Sequence, residues 1–133
     1  MASDPSLALQ DALIVALRAL GTAAGANVFD QPPTGDLFPR ITLGPWQSIP
    51  DDADCYEGTE SHVQLDVWSR RPGMPEVKQI ADAIRDRLHD GDLDVDGHTV
   101  GLMLVESIDY SRDPDGLTSR ARISLRILSQ PSD

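Results

Sequence analysis

The sequence predicts an α+β domain: a mostly antiparallel β-sheet with two α-helices packed on it. Two patterns and their order along the chain carry that prediction. Apolar residues recur at three- and four-residue spacings from Met74 to Leu88, the period of a helix with one buried face. They alternate singly from His62 to Trp68 and again from Leu117 to Leu128, the period of half-buried strands. At 133 residues the chain has the size of one domain, so a single core over 1–133 is expected.

Each element has its own signature. Ser3 or Asp4 can cap a first helix, Pro5 suits its first turn, and Gly21 ends it. Gln10, Asp11 and Arg18 give that helix only a narrow wet stripe, so a wide apolar surface has to be covered by a sheet or by a neighbouring subunit. Short extended pieces follow at Asn27–Asp30 and Arg40–Leu43, separated by a proline-rich stretch that forbids a regular helix. Residues 44–61 read as a long loop, because Gly44, Pro45, Pro50 and five acids (Asp51, Asp52, Asp54, Glu57, Glu60) occur there with no Lys or Arg. In the strand after it, Val63, Leu65 and Val67 share one face. Arg70-Arg71-Pro72-Gly73 stops this strand, and the second helix presents Val77, Ile80, Ala81, Ile84 and Leu88 to the core. A further alternating piece, Leu93 and Val95, turns at Asp96-Gly97 into a strand running from His98 towards Tyr110. Asp113-Pro114-Asp115-Gly116 makes the next turn. The last strand sets Ala121, Ile123, Leu125 and Ile127 against Arg120, Arg122, Ser124 and Arg126.

Composition excludes several functions. With 22 acids against 11 bases the net charge is −11, which argues against general DNA or RNA binding and against attraction to anionic lipid. The single cysteine, Cys55, cannot close an internal disulfide, so a reducing compartment is expected. The apolar stretch Leu7–Leu20 lacks a basic start and is too short to span a bilayer, so it reads as neither a signal segment nor a membrane helix.

No catalytic or metal motif stands up. Asp92, Asp94, Asp96 and Gly97 match the first half of a calcium loop, but the twelfth position is Met103 where a bidentate Glu is required. The alternation of Leu93 and Val95 with those acids favours a solvated hairpin edge. His62, His89 and His98 follow no ligand spacing, no G-x-S-x-G is present, and acids around Cys55 would raise its pKa. No enzyme activity, cofactor or metal is expected. The remaining features are charged surfaces: the acids of 51–57 as a contact surface, and the one-sided stripe Arg120, Arg122 and Arg126. The stripe either pairs across the sheet with acids such as Asp66 or Glu106, or meets an acidic loop on another copy, an arrangement that favours head-to-tail rings.

A resemblance adds to this reading. The alanine-rich first helix is followed by Val28-Phe29-Asp30, Phe38-Pro39-Arg40-Ile41-Thr42-Leu43-Gly44 and Val63-Gln64-Leu65-Asp66-Val67-Trp68-Ser69. Ile80-Ala81-Asp82-Ala83-Ile84-Arg85-Asp86-Arg87-Leu88 and Arg112-Asp113-Pro114-Asp115-Gly116-Leu117-Thr118 complete the series. In order and spacing these blocks, over residues 7 to 128, resemble the tail completion or tail terminator proteins of long-tailed phages and phage-derived gene transfer agents. That resemblance implies a structural virion protein, assembled in the host bacterial cytoplasm. It would form a homohexameric ring on the tail tube protein, halt tube growth and join the head connector, with DNA only in transit through the hole. Two alternatives stay open: a head-side adaptor or stopper, and a small-ligand-binding α+β domain unrelated to virions.

Overall fold

The computed structural model describes residues 4–32, 34–52 and 57–132. Seven elements follow one another: α1 (Ser6–Arg18), β1 (Val28–Phe29), β2 (Arg40–Pro50), β3 (Thr59–Ser69), α2 (Pro75–Leu88), β4 (His98–Arg112) and β5 (Ser119–Pro131). The strands form one sheet in the order β1-β2-β3-β5-β4, antiparallel except for the two-residue β1, which runs parallel to β2. The α+β expectation is met. Val63, Leu65 and Val67 of β3, Ala121, Ile123, Leu125 and Ile127 of β5, and Met103 of β4 are buried on one face. They join the buried residues of both helices in one core, so α1 and α2 cover the same side of the sheet.

Helix α1 buries Leu9, Leu13 and Leu17, a row at four-residue spacing. Pro5 occupies the N-cap, and the Asp4 carboxylate accepts hydrogen bonds from the Ser6 amide and the Ser48 hydroxyl, both at 2.9 Å. At the other end the Arg18 guanidinium donates to the Val28 carbonyl at 2.8 Å, tying the helix to β1. The helix stops at Arg18, short of Gly21, because the last turn tightens through a Leu20 amide to Leu17 carbonyl bond. In α2 the buried residues are Val77, Ile80, Ala81, Ile84 and Leu88, as its period predicts.

Two segments differ from expectation. The stretch 44–61 is not one loop: β2 continues to Pro50 and β3 begins at Thr59, with Trp46–Pro50 paired to Val63–Thr59. Pro45 is accommodated because the register shifts between Leu43 and Trp46, so the residue that cannot donate a hydrogen bond sits in a bulge. The loop shrinks to 51–58, closed at its base by the Asp51 amide on the Gly58 carbonyl at 2.8 Å. Leu93 and Val95, expected to alternate as a strand, make only one bridge, Val95 to His98. Both side chains are buried, so the core holds this segment where the sheet ladder does not.

Gly91 joins α2 to that segment. A Cβ there would meet the Arg87 carbonyl oxygen at 2.4 Å, a backbone contact no rotamer change relieves. Gly91→Ala is expected to cost about 2 kcal/mol, read as a lowered midpoint in urea unfolding.

Candidate functional site

Among the described residues, the side of the sheet away from the helices carries no second layer, and the predicted arginine stripe lies on it. Register places Arg120 opposite Trp68, Arg122 opposite Asp66 and Arg126 opposite His62. The Asp66 Oδ1 accepts from Nε of both Arg120 and Arg122, each at 3.0 Å, and Oδ2 accepts from Arg122 Nη2 at 3.4 Å. Arg120 also stacks on the Trp68 ring, 4.8 Å from its centroid, while Trp68 Nε1 donates to the Thr42 hydroxyl at 2.9 Å. These groups cover the Asp66 carboxylate, leaving the residue 4% exposed. Pairing with Asp66 across the sheet, one of the two readings of the stripe, is therefore realised for two of its three arginines.

The third arginine belongs to a second cluster. Arg126 Nη2 donates to Glu60 Oε1 at 3.2 Å, His62 Nε2 lies 2.6 Å from Glu60 Oε2, and His62 Nδ1 lies 3.8 Å from Glu106. The hydrogen bond from His62, then that from Arg126, hold the Glu60 carboxyl below its ordinary value. A group whose pKa falls on folding favours the native state above its unfolded value and loses that contribution as pH drops through the lower, folded one. A carboxyl-detected NMR titration is expected to place the Glu60 midpoint below 4.5, and Arg126→Ala to move it back upward.

The acids expected to form a contact surface fall in the loop between β2 and β3. Asp51, Asp52 and Glu57 stand in the 51–58 loop, and Asp54 lies outside the described residues, as does Cys55. Asp52 Oδ1 accepts the Gly58 amide at 3.3 Å. Glu60 is not part of this loop; it is a strand residue neutralised by its neighbours. Among the described residues, no ion pair joins Asp51 or Asp52 to Arg120, Arg122 or Arg126.

Among the described residues, no group of three or more His, Cys, Asp or Glu is placed to hold a metal ion. Asp92, Asp94 and Asp96 line the hairpin before β4, where the Asp92 carbonyl accepts from Arg87 at 2.8 Å and the Asp96 carbonyl lies 3.1 Å from His98 Nδ1. No described helix is long and apolar enough to cross a membrane.

Two further surfaces stand out: part of the wide apolar surface expected on the first helix, and a corner at the start of β2 that the sequence does not announce. Along α1, Leu7 and Val15 are 68% and 69% exposed although the row beside them is fully buried. At the start of β2, the guanidiniums of Arg40 and Arg70 both lie over the Phe38 ring, at 4.6 and 4.2 Å from its centroid. Arg70 also pairs with Asp36 at 3.2 Å and donates to the Thr118 hydroxyl at 3.4 Å, joining three chain segments at one corner. The adjacent pair Arg70-Arg71, where the sequence predicts the end of a strand, is the local signal for this corner.

Comparison with known proteins gives the family. The family model described as Tail completion protein gp17 matches residues 8–130. The chain belongs to this family. It is a structural tail component, and a virion is its place. Among solved structures it is similar to a chain in the virion of a native gene transfer agent (GTA) particle, with a TM-score of 0.73 and 21% identity. That match covers 96% of this chain and 92% of the other, so the two share a fold from end to end. No curated protein gives a significant sequence match.

Proposed function

We propose that this tail completion protein acts as a tail terminator. Copies of it close into a homohexameric ring on the head-proximal end of the tail tube, end tube growth and seat the head connector. The observation that carries this reading is the outer row of α1: large apolar side chains that the chain itself leaves in water on a helix otherwise committed to the core. Family membership supplies the setting, a tail that has to be finished. The net charge of −11 supports DNA passage, since a strongly acidic ring repels phosphates from its wall and does not retain them. Catalysis plays no part in this reading.

Particles produced without the protein are expected to carry overlong tubes and no heads in electron micrographs, and adding the purified protein to tubes of normal length should restore head joining. Tails of normal length that join heads without it would reject the proposal. The 51–58 loop is the connector-facing element in this scheme. Pro50 pairs directly with Thr59, so residues 51–58 can be replaced by an Asn-Gly turn without disturbing either strand. That variant is expected to terminate tubes at the normal length yet fail to join heads, counted as free tails; full head joining would remove the loop from the mechanism.

A further inference from the structure

A groove of about 800 Å³ runs between α1 and the segment 87–98. Its lining is mainly apolar, with Leu7 and Val15 from α1 and the buried Leu93 opposite. Its charged members are four acids, Asp4, Asp11, Asp94 and Asp96, against Arg87 and His98. Arg87 is drawn aside onto the Asp92 carbonyl, so the rim is acidic in balance. An apolar slot with an acidic rim selects an apolar knob flanked by guanidiniums.

The chain carries such a knob elsewhere. Leu117, 71% exposed, and Leu37 stand at the corner organised by Arg70. Arg71 is exposed and only loosely paired with Glu76 at 3.7 Å, and Arg112 is exposed with no ion pair among the described residues. The acids beside the knob are engaged locally: Asp36 pairs with Arg70 at 3.2 Å, and the exposed Asp115 accepts the Leu117 and Thr118 amides and the Thr118 hydroxyl, at 2.8 to 2.9 Å. Slot and knob lie towards opposite ends of the β4–β5 pair, since His98 pairs with Pro131 at one end and Arg112 with Ser119 at the other. One chain therefore cannot bring its own knob to its own slot. Two different complementary patches on one protomer make a head-to-tail contact, the kind that closes into a ring.

We infer that the α1 groove of one copy receives the Leu37/Leu117 corner of the next, with Arg71 and Arg112 facing Asp11 and Asp94. This rests on the ring reading above and names the joint that builds the ring. The test uses the full chain carrying Cys55→Ser, Val15→Cys and Leu117→Cys, alone and mixed with purified tail tubes lacking the protein, and treated with a short bismaleimide. A cross-linked ladder of multimers is expected, absent when either new cysteine is omitted. Arg71→Glu with Arg112→Glu should lose association by light scattering, as should Asp11→Arg with Asp94→Arg, while all four changes together restore it. Circular dichroism confirms that each variant is folded. A chain that stays monomeric in both settings, or one that enters tails without a 15–117 link, overturns the inference. Linked rings that neither cap tubes nor enter tails would leave this joint standing and sink the terminator reading instead.

Discussion

Leu65→Ala is expected to lower the free energy of unfolding by about 3 kcal/mol, against a total of roughly 5 to 15 kcal/mol for a domain of this kind. Leu65 sits on β3, in the middle of the sheet, facing Leu43 on one neighbour and Ile123 on the other. It is fully buried, and the flanking strands are held by their own ladders, so little can collapse into the space left behind. The loss therefore includes both the transfer of the removed methyl groups and the cavity. Urea unfolding should show a lower midpoint with an unchanged slope, which separates lost stability from a change in the unfolded chain. A loss below about 1 kcal/mol would mean that β2 or β5 can close onto the gap, and that the sheet is softer than its pairing implies.

Asp66→Ala tests the opposite face. Asp66 is nearly inaccessible and answers two guanidiniums at 3.0 Å, so its removal leaves Arg120 and Arg122 facing each other with no counter-ion between them. A broken buried pair costs about 3 to 5 kcal/mol, but both arginines reach water and can turn outward, which brings the expected loss down to about 2 kcal/mol. Removing Arg122 as well should return part of it, and a double-mutant cycle measures that coupling. A loss below about 0.5 kcal/mol would mean that the pairs stand like ordinary surface ion pairs and do not organise the sheet's open face.

The two faces of the sheet differ in how much of them could be read in advance. Val63, Leu65 and Val67 announce a buried face because a strand repeats every two residues and a one-residue slip would put all three in water. The pairing of Arg120 and Arg122 with Asp66 was one of two readings, and only the register of β5 against β3 selects it. In the segment 44–61, glycine, prolines and acids outweighed the strand-favouring Trp46 and Ile49, because composition carries no record of a bulge that shelters Pro45 or of an arginine on β5 that neutralises Glu60. The Phe38 stack needed the ends of β2 and β3 to meet, which no local pattern encodes.

By itself the sequence determined the class of the fold, the buried face of α2 and of the long strands, and the absence of recognisable chemical motifs, since periodicity and motif spacing are local properties of the chain. The order of its blocks also pointed to tail completion proteins, which the family match then established. Only the tertiary structure decided which charges are spent on one another and which apolar groups remain in water. Leu7 and Leu9 have the same hydrophobicity and lie two residues apart, yet one is open to solvent and the other sealed in the core. That difference is set by how far α1 is rotated against the sheet, a relation among distant segments that a linear pattern does not contain.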